Sequence, residues 1–260
     1  MKQLVSTEWL NKNINDVKIL DATWHLPNDN RNSFEEYKTD HILYSIFFDI
    51  DKNSNKKTNL PHMLPSKDDW EIIISNLGIK NDDHVIVYDN SDVFSSCRLW
   101  YTFLYFGHDP NLISVLDGNF KKWKQERLPT SKEIIPFNRS VYKAKEEPSL
   151  VINKDQVNKN IISKKFQLID ARGNKRFLGL QPEPRKELKS GNIKGSVNLP
   201  FQELIREDRT FKKKEELVEI FKTKKVSLEK EMAFTCGSGI TACILGLANS
   251  IISGKKPVIY

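Results

Sequence analysis

Short apolar runs alternate with longer helical stretches along most of this chain. The runs at 19–22, 84–88, 112–116, 166–171 and 232–235 are bounded by charge, turn residues or glycine and predict buried strands. Ser6 or Thr7 is placed to cap a short helix through Leu10. Ser66 caps a helix through Leu77, with Asp68, Asp69 and Glu71 at its N-terminal end and Gly78 closing it. Residues 98–106 predict an aromatic-rich helix closed by Gly107. Residues 241–252 are apolar at nearly every position, which suits a helix buried on most sides. Residues 47–51 read as extended and lead into a polar loop at 52–59 and then Pro61-His-Met-Leu-Pro65.

The pattern occurs twice. Ile19-Leu-Asp-Ala-Thr23 returns as Leu168-Ile-Asp-Ala-Arg172. Glu36-Tyr-Lys-Thr-Asp-His-Ile42 returns 151 residues later as Glu187-Leu-Lys-Ser-Gly-Asn-Ile193, and Val85-Ile-Val-Tyr-Asp89 returns 147 residues later as Met232-Ala-Phe-Thr-Cys236. Strands alternating with helical stretches predict an α/β fold in each half, a mainly parallel sheet with helices on both faces. The expected domains are 1–137 and 150–260. The charged, aperiodic stretch 138–149 between them is expected to run over the surface as a linker.

Composition narrows the function classes. The net charge of +7 comes largely from lysines interleaved with acids, which describes a solvated surface able to attract anionic substrates; no nucleic-acid module is present, so no nucleic-acid partner is expected. No run of 18 apolar residues occurs, so no membrane association is expected. The N-terminus has no apolar leader core, which leads to an expected cytoplasmic location. Cys97, Cys236 and Cys243 do not form a disulfide framework. The five histidines are scattered and no Cys-x-x-Cys occurs, so neither a metal nor a cofactor is expected.

The chemistry concentrates in Cys236-Gly-Ser-Gly-Ile-Thr-Ala242, between the last apolar run and the apolar helix. Two glycines let amide groups converge, and the helix N-terminus that follows favours negative charge. A cysteine opening such a loop is favoured as a thiolate nucleophile; the alternative is a structural cysteine in an ordinary strand-to-helix turn. Cys243, two helical turns further on, reads as core packing. In the first half Asp89 stands where Cys236 stands, and an aspartate cannot act as a thiolate nucleophile, so that half is expected to be catalytically silent. Cys97, near the start of the next helix, reads as a small packed residue.

This loop resembles the active-site loop of the rhodanese superfamily, and within it the Cys-Gly-Ser-Gly-Val-Thr-Ala loop of two-domain 3-mercaptopyruvate sulfurtransferases. The resemblance covers essentially the whole chain and implies tandem rhodanese-like domains. Thiosulfate sulfurtransferases of the same fold usually carry Arg and Lys after the cysteine. Phosphatases of the superfamily need an arginine where this chain has Ala242. The resemblance implies that Cys236 takes sulfur from 3-mercaptopyruvate as a persulfide, releases pyruvate and passes the sulfur to reduced thioredoxin, another thiol or cyanide. It implies that the loop amides from Gly237 through Gly239 and Ile240 to Thr241 stabilise the anionic sulfur. Arg176-Phe-Leu-Gly-Leu-Gln-Pro-Glu-Pro-Arg185 matches the family's loop for the donor carboxylate, whose two oxygens fit a guanidinium fork. Without the resemblance, Arg176 and Arg185 read as solvated surface residues. A proton relay of Ser238, His62 and Asp51 across the domain interface is likewise implied by resemblance alone; by itself His62 reads as a loop histidine between prolines.

The chain departs from the family in two places. Ile42-Leu-Tyr-Ser45 replaces the usual Ile-Pro-Gly-Ala and is expected to loosen a turn in the first half, whereas Gly195-Ser-Val-Asn-Leu-Pro200 matches. The second half stops at Tyr260, where the first continues through Asp117-Gly-Asn-Phe-Lys-Lys-Trp123. The missing continuation leaves open a non-catalytic sulfur carrier or interaction protein; the second enzyme reading is a thiosulfate:cyanide sulfurtransferase.

Overall fold

The structure, a computed structural model, describes residues 3–136, 138–183 and 189–260. The chain forms two compact units, Met1–Pro148 with Glu207–Thr210, and Ser149–Arg206 with Phe211–Tyr260.

The first unit contains β1 (Leu4–Val5), α1 (Thr7–Lys12), β2 (Lys18–Asp21), α2 (Ser33–Thr39), β3 (His41–Ile42), β4 (Ser45–Phe47), α3 (Lys67–Asn76), β5 (Val85–Tyr88), α4 (Ser96–Tyr105), β6 (Ile113–Leu116), α5 (Asn119–Gln125) and β7 (Thr130–Ser131). Its sheet runs β1-β6-β5-β2-β4, with every pairing parallel. Ser6 caps α1 by accepting from the Trp9 N–H, and Ser66 caps α3 by accepting from Asp69. All of β5 is buried, so both faces of the sheet are covered. On one face Ile86 and Tyr88 join Val5, Leu10, Ile19, Phe120 and Trp123. Elsewhere in the unit Trp70 stacks on Phe106 at 4.9 Å and meets Phe103 edge-on at 5.1 Å.

The stretch after residue 137 runs over the surface, as expected, and is pinned to this unit at Tyr142 and Ala144. Tyr142 is 1% exposed and stacks on His108, while its N–H donates to Ser75 and that of Ala144 to Glu71. One buried aromatic and backbone pairing, neither periodic, fix this segment. The turn at Tyr44 forms without the glycine of its counterpart. Tyr44 takes φ +65°, as Gly195 takes +85° at the equivalent place, so a tyrosine holds a left-handed turn at a cost of about 1–2 kcal/mol.

Asp21, at the end of β2, is 4% exposed, and burial raises its pKa to about 6 despite hydrogen bonds from the Thr23 N–H and hydroxyl. The folded state therefore holds this proton more tightly than the unfolded chain does. Stability is fullest below about pH 4 and falls towards pH 6 by about 3 kcal/mol from this group. Asp21→Asn keeps an acceptor for Thr23 and removes the titration. In chemical denaturation its advantage over wild type is expected to grow by that amount between pH 4 and 6; a constant difference would contradict the assignment.

The second unit contains α6 (Lys154–Ser163), β8 (Gln167–Asp170), α7 (Asn174–Phe177), β9 (Val197–Asn198), α8 (Lys214–Thr223), β10 (Met232–Thr235), α9 (Ala242–Ser253) and β11 (Val258–Ile259). Its sheet runs β11-β10-β8-β9, again parallel, and Val151 bridges Ile259 as β1 pairs with β6. Leu168 and Ala233 pack with Val157 of α6, while Ile169 and Phe234 are fully buried. Among the described residues no helix is long and apolar enough to cross a membrane.

Candidate active site

In the second unit Thr235 pairs with Asp170, so the carboxyl ends of β10 and β8 lie side by side. The loops that leave those ends meet there, the usual place for a site in a parallel sheet. One begins with Cys236 and the other with Arg172 and Arg176.

Cys236 is half-buried, directly after β10. The loop turns through Gly239, whose φ of +77° is easy only for glycine, and the Gly239 N–H donates to Cys236 Sγ at 3.1 Å. Cys243 is buried in the first turn of α9 and donates its S–H to the Gly239 carbonyl at 3.1 Å. It belongs to the core as expected, and it also holds the carbonyl of the glycine whose N–H faces the nucleophile. Ile240 is 2% exposed and its side chain is part of the core, so only its backbone can serve the site. Ser238 and Thr241 are half-buried in the same loop.

Arg176 sits on the single helical turn α7, which its surrounding prolines and glycines do not predict. A β-carbon placed on Gly237 would lie 3.1 Å from Arg176 Nη2, so the guanidinium reaches the nucleophile's own loop. Arg185 lies outside the described residues. Sequence reasoning passed over Glu183 and Arg172. The Glu183 side chain is 2% exposed and pairs with Arg172 at 2.8 Å and Arg176 at 2.5 Å. Arg172 is held further by Asp170 at 2.7 Å and by the Gly191 carbonyl at 2.8 Å. Burial opposes the Glu183 charge, but the guanidiniums of Arg176 and Arg172 overcome it and hold the carboxyl below the usual glutamate range. The available signal was one acid amid three arginines in a short span.

The equivalent loop of the first unit is built differently. Asp89 is fully buried, accepting from the Ser91 N–H at 2.8 Å and the Ser96 N–H at 2.9 Å. The amides that would stabilise a reacting anion are therefore occupied by the chain's own carboxyl. With no glycine present, Phe94 takes the left-handed conformation at φ +49°. Cys97 is fully buried.

His62 and Asp51 both lie in the first unit and do meet. His62 Nε2 is 3.0 Å from Asp51 Oδ1, and Trp24 Nε1 donates to Asp51 Oδ2 at 2.8 Å. Trp24 also packs edge-on against the imidazole at 4.7 Å, and Arg98 Nη2 donates to the His62 carbonyl at 2.5 Å. The His62 hydrogen bond, more than any other contact, holds the Asp51 carboxyl below its usual range. His62 Nδ1 is buried without a hydrogen-bond partner among the described residues.

Two α/β units, one with a cysteine cradled after its central strand and one with an aspartate in its place, make a tandem fold whose second unit presents the nucleophile. The rhodanese-like domain family matches residues 6–126 and 153–260, and the chain belongs to that family. It is 37% identical to 3-mercaptopyruvate sulfurtransferase and 40% identical to thiosulfate sulfurtransferase, both of Rattus norvegicus, in each case over 99% of this chain and 88% of the relative. Its fold is similar to the crystal structure of SseA from Escherichia coli, a 3-mercaptopyruvate sulfotransferase, with a TM-score of 0.91 and 32% identity. That match covers all of this chain and 98% of SseA.

Proposed function

We propose that this protein is a sulfurtransferase that takes sulfur from 3-mercaptopyruvate onto Cys236. The observation that carries the choice of donor is the Arg176 guanidinium beside the uncharged Gly237, with Cys236 next in the chain. A carboxylate held there by a guanidinium fork would bring the neighbouring thiol to the cysteine.

In the first step the Cys236 thiolate attacks the donor sulfur. A sulfur–sulfur bond forms and the carbon–sulfur bond breaks, leaving its electron pair on carbon as the enolate of pyruvate. The Gly239 N–H stabilises negative charge on the sulfur. The enolate takes a proton, and an acceptor thiol, reduced thioredoxin among the candidates, then removes the outer sulfur and restores Cys236. Ser238, His62 and Asp51 are the groups we assign to proton delivery, an assignment supported by the family resemblance and by the His62–Asp51 hydrogen bond. His62→Gln is then expected to lower kcat about 10²-fold with KM little changed; an unaltered kcat removes His62 from the reaction. The first unit, its loop filled by Asp89, we assign no transfer of its own.

The second reading, thiosulfate as donor, is supported by the 40% identity to a thiosulfate sulfurtransferase. Comparison of kcat/KM for the two donors decides between them. The proposal requires 3-mercaptopyruvate to be preferred, with stoichiometric pyruvate release; preference for thiosulfate promotes the second reading.

A further inference from the structure

We infer that Glu183 is a positioning residue for Arg176: it grips one edge of the guanidinium and turns the other toward the incoming carboxylate of the sulfur donor. This rests on the donor chemistry proposed above and adds the group that orients it.

The geometry separates the two arginines that share Glu183. Arg172 is anchored without it, through both oxygens of Asp170 and the Gly191 carbonyl. Among the described residues Arg176 has no side-chain hydrogen-bond partner other than Glu183, which takes its Nε at 3.2 Å and its Nη2 at 2.5 Å. That grip uses the Nε–Nη2 edge, and Nη1 makes no hydrogen bond among the described residues. The α7 turn spans four residues and cannot fix so long a side chain by itself. The Arg176 side chain is also 25% exposed, against 10% for Arg172, so packing restrains it less. The order runs Asp170, Arg172, Glu183, Arg176, from the end of β8 to the nucleophile's loop.

Glu183 has two opposing effects on an anionic ligand. Its negative charge weakens attraction to Arg176, while its hydrogen bonds orient the guanidinium. If charge dominated, neutralising Glu183 would tighten carboxylate binding. If orientation dominates, as inferred here, the same change weakens it. The sign of the effect therefore distinguishes the two.

The test compares Glu183→Gln, Glu183→Asp, Arg176→Ala and the double variant Glu183→Gln with Arg176→Ala. With 3-mercaptopyruvate, Glu183→Gln is expected to raise KM about tenfold and to change kcat by less than about threefold. Glu183→Asp, which keeps the charge and shifts the carboxylate, is expected to raise KM as well. In the Arg176→Ala background Glu183→Gln is expected to raise KM no further and, by removing a charge that repels the donor, to lower it. A second readout does not depend on the proposed donor: the ratio of Cys236 alkylation rates with iodoacetate and with uncharged iodoacetamide. Glu183→Gln is expected to lower that ratio to the Arg176→Ala value. An unchanged or lower KM and an unchanged or higher ratio in Glu183→Gln would overturn the inference, as would an equal effect with Arg176 already removed. Should wild type take no sulfur from 3-mercaptopyruvate, the donor proposal fails and the alkylation ratio still decides the role of Glu183.

Discussion

Cys236→Ser is expected to abolish sulfur transfer, lowering kcat at least about 10⁴-fold while leaving the fold intact. The change replaces one atom in a half-buried position, so it creates no significant cavity. A serine hydroxyl is far less acidic than a thiol, and the Gly239 N–H that faces this atom is a donor and cannot take its proton. Nor would an attack by oxygen give a sulfur–sulfur bond. Everything the loop does, from the left-handed turn at Gly239 to the S–H bond of Cys243 beneath it, presents this one sulfur. Steady-state assay of pyruvate release checks the expectation. Residual turnover near wild type would place the nucleophile elsewhere, and the buried Cys97 and Cys243 offer no ready substitute.

Arg176→Ala is expected to raise KM for 3-mercaptopyruvate about 10- to 100-fold. A charge-assisted hydrogen bond to a carboxylate contributes about 1.5–3 kcal/mol, and each 1.4 kcal/mol is a factor of ten. The true loss lies toward the upper end, because among the described residues Glu183 then keeps Arg172 alone as a counter-charge beside the site. Its negative charge would repel the donor. Arg176→Lys keeps the charge but loses the planar fork, so it should fall between wild type and alanine. Donor titrations check both variants. A KM within twofold of wild type in Arg176→Ala would mean that the carboxylate is held elsewhere.

Much of this arrangement is written locally in the chain. Met232–Thr235 is a strand as its apolar pattern requires, the cap at Ser66 forms with Asp69, and Cys236 opens a loop whose glycine turns as expected. These features depend on neighbours in sequence, where periodicity and side-chain chemistry are direct guides. The rest depends on what the fold brings together. Glu183 has meaning only once two arginines from other turns close around it, and the span Arg176 to Glu183 carries no periodicity that would announce the contact. Tyr142 secures the stretch after residue 137 by one buried ring, which a charged, aperiodic segment conceals. The filled loop of the first unit was half legible. Asp89 ruled out sulfur chemistry by its type, but its acceptance of two loop amides is a property of the folded turn.

The most direct test of a Cys236 persulfide is the intact mass of the protein after brief exposure to 3-mercaptopyruvate, with removal of excess donor. The account predicts the gain of one sulfur atom, reversed by an added thiol and absent from Cys236→Ser. A folded wild-type protein that gains no sulfur, or a serine variant that gains one, would contradict it.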